Sequence, residues 1–251
     1  SAASDVYKRQ NNKCGSTHPE RLQELVAESD ADAGFAFDGD ADRVIATDER
    51  GNIVDGDRIM GICAKAMKAE GRLKKDTLVV TVMSNIGLKK RMTELGINVA
   101  ETKVGDRYVL EEMLKEGYSI GGEQSGHVIF LDKNTTGDGM LTAIQVLDVM
   151  KSTGRRMSAL ANDIPIYPQV LVNVIVDNEI KHQAMEDQDL WQRIREVEGK
   201  LGSSGRVLVR ASGTEPIIRV MLEGQNTDEI SDCAIYIVKV LEQKYKGKIR
   251  V

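Results

Sequence analysis

Ala33-Gly-Phe-Ala-Phe-Asp-Gly-Asp-Ala-Asp-Arg-Val-Ile-Ala46 sets three carboxylates, Asp38, Asp40 and Asp42, at alternate positions between two apolar runs. The runs predict two strands, with the acidic residues in the turn between them. Carboxylates this crowded repel one another, and their hard oxygens suit Mg²⁺ or Ca²⁺. Asp38, Asp40, Asp42 and Glu49 also match positions one, three, five and twelve of an EF-hand loop. Position six, where that loop turns on a glycine, is Arg43, and the flanks read as strands where helices are needed. The pattern is that of a divalent site built to meet a phosphate, with the metal and Arg43 both countering its charge. A solvated acidic turn is the plain alternative.

Working outward, Thr17 and Glu20 predict a capping box around Pro19, opening a helix with Leu22, Leu25 and Val26 on one face. After the acidic turn, Asn52–Gly56 reads as a connection, and Ile59, Ile62, Cys63, Ala66 and Met67 carry helical spacing as far as Gly71. Thr77–Val82 is apolar enough to be a strand buried on both faces. Leu88–Leu95 then predicts a helix, Ile97–Ala100 a strand, Arg107–Lys115 a helix, His127–Leu131 a strand and Met140–Met150 a helix. Strand alternating with helix is the pattern of an α/β layer with a largely parallel sheet. Beyond a break at Pro165 and Pro168, strands at Val170–Val176, Val207–Val209 and Ile217–Leu222 are expected. Helices around Leu190–Val197 and from Ile230 to Leu241 complete a small α+β domain.

Charged residues make up 29% of the 251 residues and the hydrophobic set 41%, the balance of a soluble globular chain. No apolar run approaches bilayer length, so no membrane segment is expected. A net charge of −5 argues against general nucleic-acid binding and points to a small anionic ligand held by local cations and amides. Cys14, Cys63 and Cys233 lack the spacing of a zinc site or redox dithiol and read as reduced thiols. With no secretory pattern at its start, the chain is expected in the cytoplasm. Residues 1–10 carry no period and read as a ragged start.

Three further stretches carry chemistry. Gly121-Gly-Glu-Gln-Ser-Gly-His127 surrounds Glu123, Ser125 and His127 with glycines, which let a backbone approach a ligand while the carboxylate and hydroxyl grip sugar hydroxyls. His127 is a candidate proton carrier; the alternative is a Gly-rich turn facing water. Arg210-Ala-Ser-Gly-Thr-Glu-Pro216, with Arg219 beyond it, gathers guanidinium, hydroxyl and backbone donors suited to a phosphate monoester, although a plain hairpin turn would use similar residues. Thr102-Lys-Val-Gly-Asp-Arg107 sits at a helix start, where Lys103 and Arg107 are candidate anion contacts or simply solvated cations.

The order DGDADR, TKVGDR, GGEQSGH and RASGTEP resembles the α-D-phosphohexomutase superfamily from about residue 11 to the C-terminus. Asn12–Glu20, Gly121–Leu131 and Thr135-Thr-Gly-Asp-Gly139 are most similar to the bacterial phosphoglucosamine mutase family within it. The resemblance implies three related α/β domains and a smaller C-terminal one, and interconversion of glucosamine 6-phosphate and glucosamine 1-phosphate through Mg²⁺ and a phosphoserine. It implies that Asp38, Asp40 and Asp42 bind the metal, that Arg43 sits beside the transferred phosphoryl group, and that Glu123 and Ser125 hold sugar hydroxyls. It assigns the non-reacting phosphate to Arg210, Ser212, Gly213, Thr214 and Arg219. The serine loop of that family, of Thr/Ala-Ser-His-Asn-Pro type, does not occur in the sequence. The expected assignment is therefore a C-terminal part: residues 11–54 a partial second domain with an unpaired sheet edge, 55–163 the third domain and 164–251 the fourth. Such a chain is expected to be inactive by itself. A phosphomannomutase or phosphoglucomutase, and a stand-alone phosphosugar-binding module, are the alternative readings.

Overall fold

The structure, a computed structural model, describes residues 14–213 and 215–250. The expected ragged start at residues 1–10, Asn12 and Lys13 of the early motif, and Thr214 lie outside the described residues. The chain divides into two compact units, Ser1–Ile166 and Tyr167–Val251.

In the first unit, α1 (Glu20–Ala27) precedes the hairpin β1 (Ala33–Phe37) and β2 (Val44–Asp48), whose antiparallel register runs from Ala33↔Asp48 to Phe37↔Val44. The acidic turn is therefore the hairpin's tip. All positions of β2 are buried, and it is flanked on its other side by the short β3 (Ile53–Val54), so β1 and β3 are the sheet's edges. Next, α2 (Gly56–Ala69) starts on the side chain of Asp55, which accepts the Arg58 N–H at 3.0 Å. Then come β4 (Thr77–Thr81), α3 (Ile86–Glu94), β5 (Asn98–Thr102), α4 (Asp106–Glu116), β6 (Ile120–Gly122), β7 (Val128–Phe130), α5 (Gly139–Thr153) and α6 (Met157–Asn162). The second sheet has the order β5-β4-β6-β7: β4 is parallel to both neighbours and buried at every position, while β7 runs antiparallel to β6. Both sheets feed one core, in which Val44, Ala46 and Val54 of the first pack with Ile59, Met60, Leu78, Val80 and Phe130.

The second unit is an antiparallel sheet of order β11-β8-β10-β9, built from β8 (Gln169–Ile175), β9 (Gly205–Ala211), β10 (Ile217–Gly224) and β11 (Lys248–Arg250). Its helices are α7 (Asn178–Met185), α8 (Gln188–Leu201) and α9 (Thr227–Tyr245). Alternate residues Val170, Val172 and Val174 of β8 and Ile218, Val220 and Leu222 of β10 pack with Leu190, Ile194, Ile237 and Leu241 of the helices. The intervening row, Asn173, Arg219 and Arg210, is aligned across three strands on the other face.

Several expectations need correction. The capping box does not form: α1 starts at Pro19 with no side-chain cap, and Glu20 is its first helical residue. Asn52–Gly56 contains the paired strand β3, and β6, α6, α7 and β11 are additional elements. Two of the three residues of β6 are glycine, which carries no strand signal.

One ionic cluster closes the first unit: Asp163 receives two hydrogen bonds from the Arg155 guanidinium, at 2.6 and 3.1 Å, and one from Lys65 at 2.5 Å. The Arg155 hydrogen bonds, with Lys65, hold its carboxyl down to about 2 against the burial that opposes them. A carboxylate held below its unfolded value stabilises the fold above the unfolded value and loses that contribution as pH falls through the folded one. Asp163→Asn is expected to lower the unfolding free energy at pH 7 by about 1–2 kcal/mol after solvent screening. In urea titrations the gap between wild type and variant should close as the pH drops from about 4 to about 2.

Candidate functional site

The acidic loop is held by its own backbone. Asp38 Oδ1 accepts the Arg43 N–H at 3.1 Å and the Asp38 carbonyl accepts the Ala41 N–H at 3.3 Å. Ala41 adopts a left-handed φ of 61°, which costs an L-residue roughly 1 kcal/mol and lets the chain turn between Asp40 and Asp42. Each of Asp38, Asp40 and Asp42 offers an oxygen, and these atoms lie within 4.8 Å of one another. Asp42 Oδ1 is buried without a hydrogen-bond partner. Burial, the hydrogen bond with Asp42 and the neighbouring carboxylates push Asp38 up. Burial would raise Asp42 as well, but hydrogen bonds from Asp38 and His127 carry it below the usual range. The crowding of the carboxylates is thus unfavourable for a charged Asp38, and a cation among them would relieve it. The Arg43 guanidinium is half exposed, its Nε 4.0 Å from Asp38 Oδ2, within ion-pair reach but too far for a hydrogen bond.

The Gly-rich stretch is joined to this loop. Arg43 and His127 form an antiparallel bridge, and Val44 donates to the Gly126 carbonyl at 3.1 Å. Gly126 has a φ of 92°, and a Cβ there would lie 2.1 Å from the Val44 carbonyl oxygen, so only glycine permits the approach. The His127 ring is 3% exposed. Its Nε2 accepts the Gly137 N–H at 3.1 Å, so the proton resides on Nδ1, which donates to Asp42 Oδ2 at 3.0 Å. Both ring nitrogens are committed to protein partners. The structure places this candidate proton carrier as a buried imidazole that donates to one carboxylate of the acidic loop. The TTGDG stretch closes the far side, where Gly139 donates to the Ala41 carbonyl at 2.9 Å.

Glu123 lies at the mouth of the Gly-rich loop, where its Oε1 accepts the Gly105 N–H at 3.0 Å and its Oε2 the hydroxyl of the exposed Ser125 at 3.4 Å. TKVGDR therefore reaches the site through a backbone amide. Of its two candidate anion contacts, the Arg107 side chain is 81% exposed and paired with Glu111 at 2.7 Å, and the Lys103 ammonium lies 6.0 Å from the Tyr108 ring.

In the second unit, Arg210 and Arg219 are directly opposite each other on β9 and β10. Burial, then the Arg219 charge, pushes the Arg210 guanidinium down. Arg219 donates to Glu215 at 2.8 Å, and Ser212 Oγ accepts the Glu215 N–H at 3.2 Å. Like charges facing across strands are unfavourable unless an anion lies between them. Lys181 on α7 meets this loop too, and no sequence motif contained it.

Two family models match: phosphoglucomutase/phosphomannomutase α/β/α domain III over residues 55–167, and the C-terminal domain of the same group over 171–240. A phosphoglucosamine mutase of Caldanaerobacter subterraneus subsp. tengcongensis is 57% identical over 243 residues, covering 97% of this chain and 54% of the relative. One from Clostridium perfringens is 57% identical over 234 residues, covering 93% and 52%. The chain spans about half the length of the curated relatives it matches. A phosphoglucomutase/phosphomannomutase family protein of Burkholderia thailandensis shares the fold with a TM-score of 0.77 at 24% identity, over 94% of this chain and 53% of the other. The Aspergillus fumigatus N-acetylphosphoglucosamine mutase in complex with GlcNAc-6P and magnesium gives 0.71 at 22%, over 91% and 52%.

A Cβ on Gly137 would sit 2.4–2.6 Å from three atoms of the His127 ring. Gly137→Ala is expected to force the ring off Asp42 and destabilise the first unit by about 1–3 kcal/mol, the usual range for overpacking, in chemical denaturation. An unchanged midpoint would mean that the imidazole moves aside freely.

Proposed function

The chain belongs to the phosphoglucomutase/phosphomannomutase family, and on that premise we propose that it supplies the metal, sugar and distal-phosphate contacts of a phosphoglucosamine mutase, an enzyme that interconverts glucosamine 6-phosphate and glucosamine 1-phosphate. The observation that carries this reading is the Asp42–His127 hydrogen bond of 3.0 Å. It ties a cation-binding loop to a loop bearing a carboxylate and a hydroxyl for sugar contacts, so both functions share one site. Residues 11–54 then end the second α/β domain, 55–163 form the third and 164–251 the fourth.

The acidic loop suits Mg²⁺: three hard carboxylates converge, and the buried Asp42 Oδ1 lacks any partner. Mg²⁺ held by Asp38, Asp40 and Asp42 would counter charge on phosphoryl oxygens. Arg43 adds a guanidinium on the same side. Glu123 and Ser125 take sugar hydroxyls, with Glu123 fixed by the Gly105 amide. Lys103 and Arg107 contribute only a diffuse attraction for the anion. Arg210, Ser212, Gly213, Thr214 and Arg219 grip the phosphate that is not reacting, because phosphoryl transfer depends on positioning and charge neutralisation. His127 holds Asp42 and passes no proton. The serine nucleophile belongs to sequence outside these 251 residues.

Calorimetry with glucosamine 6-phosphate and Mg²⁺ tests the assignment. Wild type is expected to bind, Arg210→Ala to lose binding by tenfold or more, and Asp40→Asn to lose the Mg²⁺ dependence. Purified chain, freed of host enzyme, is expected to give no turnover. Phosphosugar binding unaffected by Arg210→Ala, or turnover without a serine-bearing partner, would contradict it.

A further inference from the structure

The RASGTEP loop is braced from behind. Lys181 is 6% exposed, and its ammonium donates to the carbonyls of Ser212 at 2.6 Å and Glu215 at 3.1 Å. Both acceptors are neutral, so its charge is not cancelled. Burying an ammonium is expensive, and an apolar side chain would fill the same space without that cost. The lysine therefore does more than pack.

Two consequences follow from its geometry. The chain has no cis peptide bond among its described residues, and in a trans peptide the carbonyl and the following N–H point in opposite directions. Turning the Ser212 carbonyl back onto Lys181 turns the Gly213 N–H away from it, and Gly213 is open, since a Cβ there would meet nothing within 4 Å. The second consequence is one of charge. Among the described residues, Lys181 contacts the loop, Arg210 and Arg219 face each other on the strands that flank it, and Glu215 pairs with Arg219. The net of about +2 matches a phosphate monoester, which carries roughly −1.5 to −2 near pH 7. Without Lys181 the loop would fall one charge short.

We propose that Lys181 is the positioning residue of the phosphate site in the second unit: it aims the Ser212–Gly213 peptide at the anion and completes the site's charge. This rests on the phosphosugar reading of the loop.

The test uses the full chain, with inorganic phosphate and glucosamine 6-phosphate as probes in calorimetry. Lys181→Met keeps the stem and removes the charge; it is expected to weaken both probes tenfold or more and to flatten the salt dependence, with Lys181→Arg recovering part of the loss. Arg210→Ala reports separately on the loop. If Arg210→Ala loses binding while Lys181→Met binds as wild type does, the Lys181 proposal is overturned and the phosphosugar reading stands. If wild type binds neither probe, both fall. Wild type also offers a check free of mutation: the Gly213 amide proton should move downfield in ¹H–¹⁵N spectra on adding phosphate. Binding without that shift overturns the proposal even if Lys181→Met fails to fold.

Discussion

Mutual repulsion among Asp38, Asp40 and Asp42 is the constraint around which the first unit is arranged. Two carboxylates 4.8 Å apart repel by roughly 3 kcal/mol at an effective dielectric near 20, and three make the loop unstable unless something holds it. The holding comes from several directions. The backbone of Arg43 binds Asp38, His127 binds Asp42, the Gly126 carbonyl pins Val44, and Gly139 grips Ala41. One contact lies within the hairpin tip, two come from the β6–β7 loop and one from the start of α5, so these three segments are tied together. Carboxylates held in this way would need no rearrangement to receive a cation, the role proposed for them.

The second unit poses the opposite problem. Here cations are crowded, with Arg210 and Arg219 opposed in register and Lys181 beneath the loop. Glu215 pairs with Arg219 at 2.8 Å. Each unit thus concentrates charge of one sign in a single loop, acidic in the first and basic in the second.

Legibility in the sequence followed the range of the interactions. The hairpin, β4, α2 and α5 were readable because an apolar period and short local turns define them. The clustering of the three aspartates was readable because one loop carries all of them, so their spacing stands in the sequence. By contrast, the Gly105 amide on Glu123 joins residues 18 apart, and the Lys181 contact to Ser212 joins residues 31 apart. The helix that presents Lys181, Asn-Glu-Ile-Lys-His-Gln-Ala-Met, has too few apolar residues to show a period. The surroundings of His127 are likewise long-range. Its residue type points to proton transfer, while its two hydrogen-bond partners, Asp42 and Gly137, are placed 85 and 10 residues away and leave no local pattern.

The central claim is that His127 is a neutral strut fixing Asp42 in the acidic loop. Long-range ¹H–¹⁵N correlation of the histidine ring measures it directly. The hydrogen bonds to Asp42 and from Gly137 require a single tautomer with the proton on Nδ1 and a bare Nε2. A proton on Nε2, or a ring exchanging between tautomers, would contradict it.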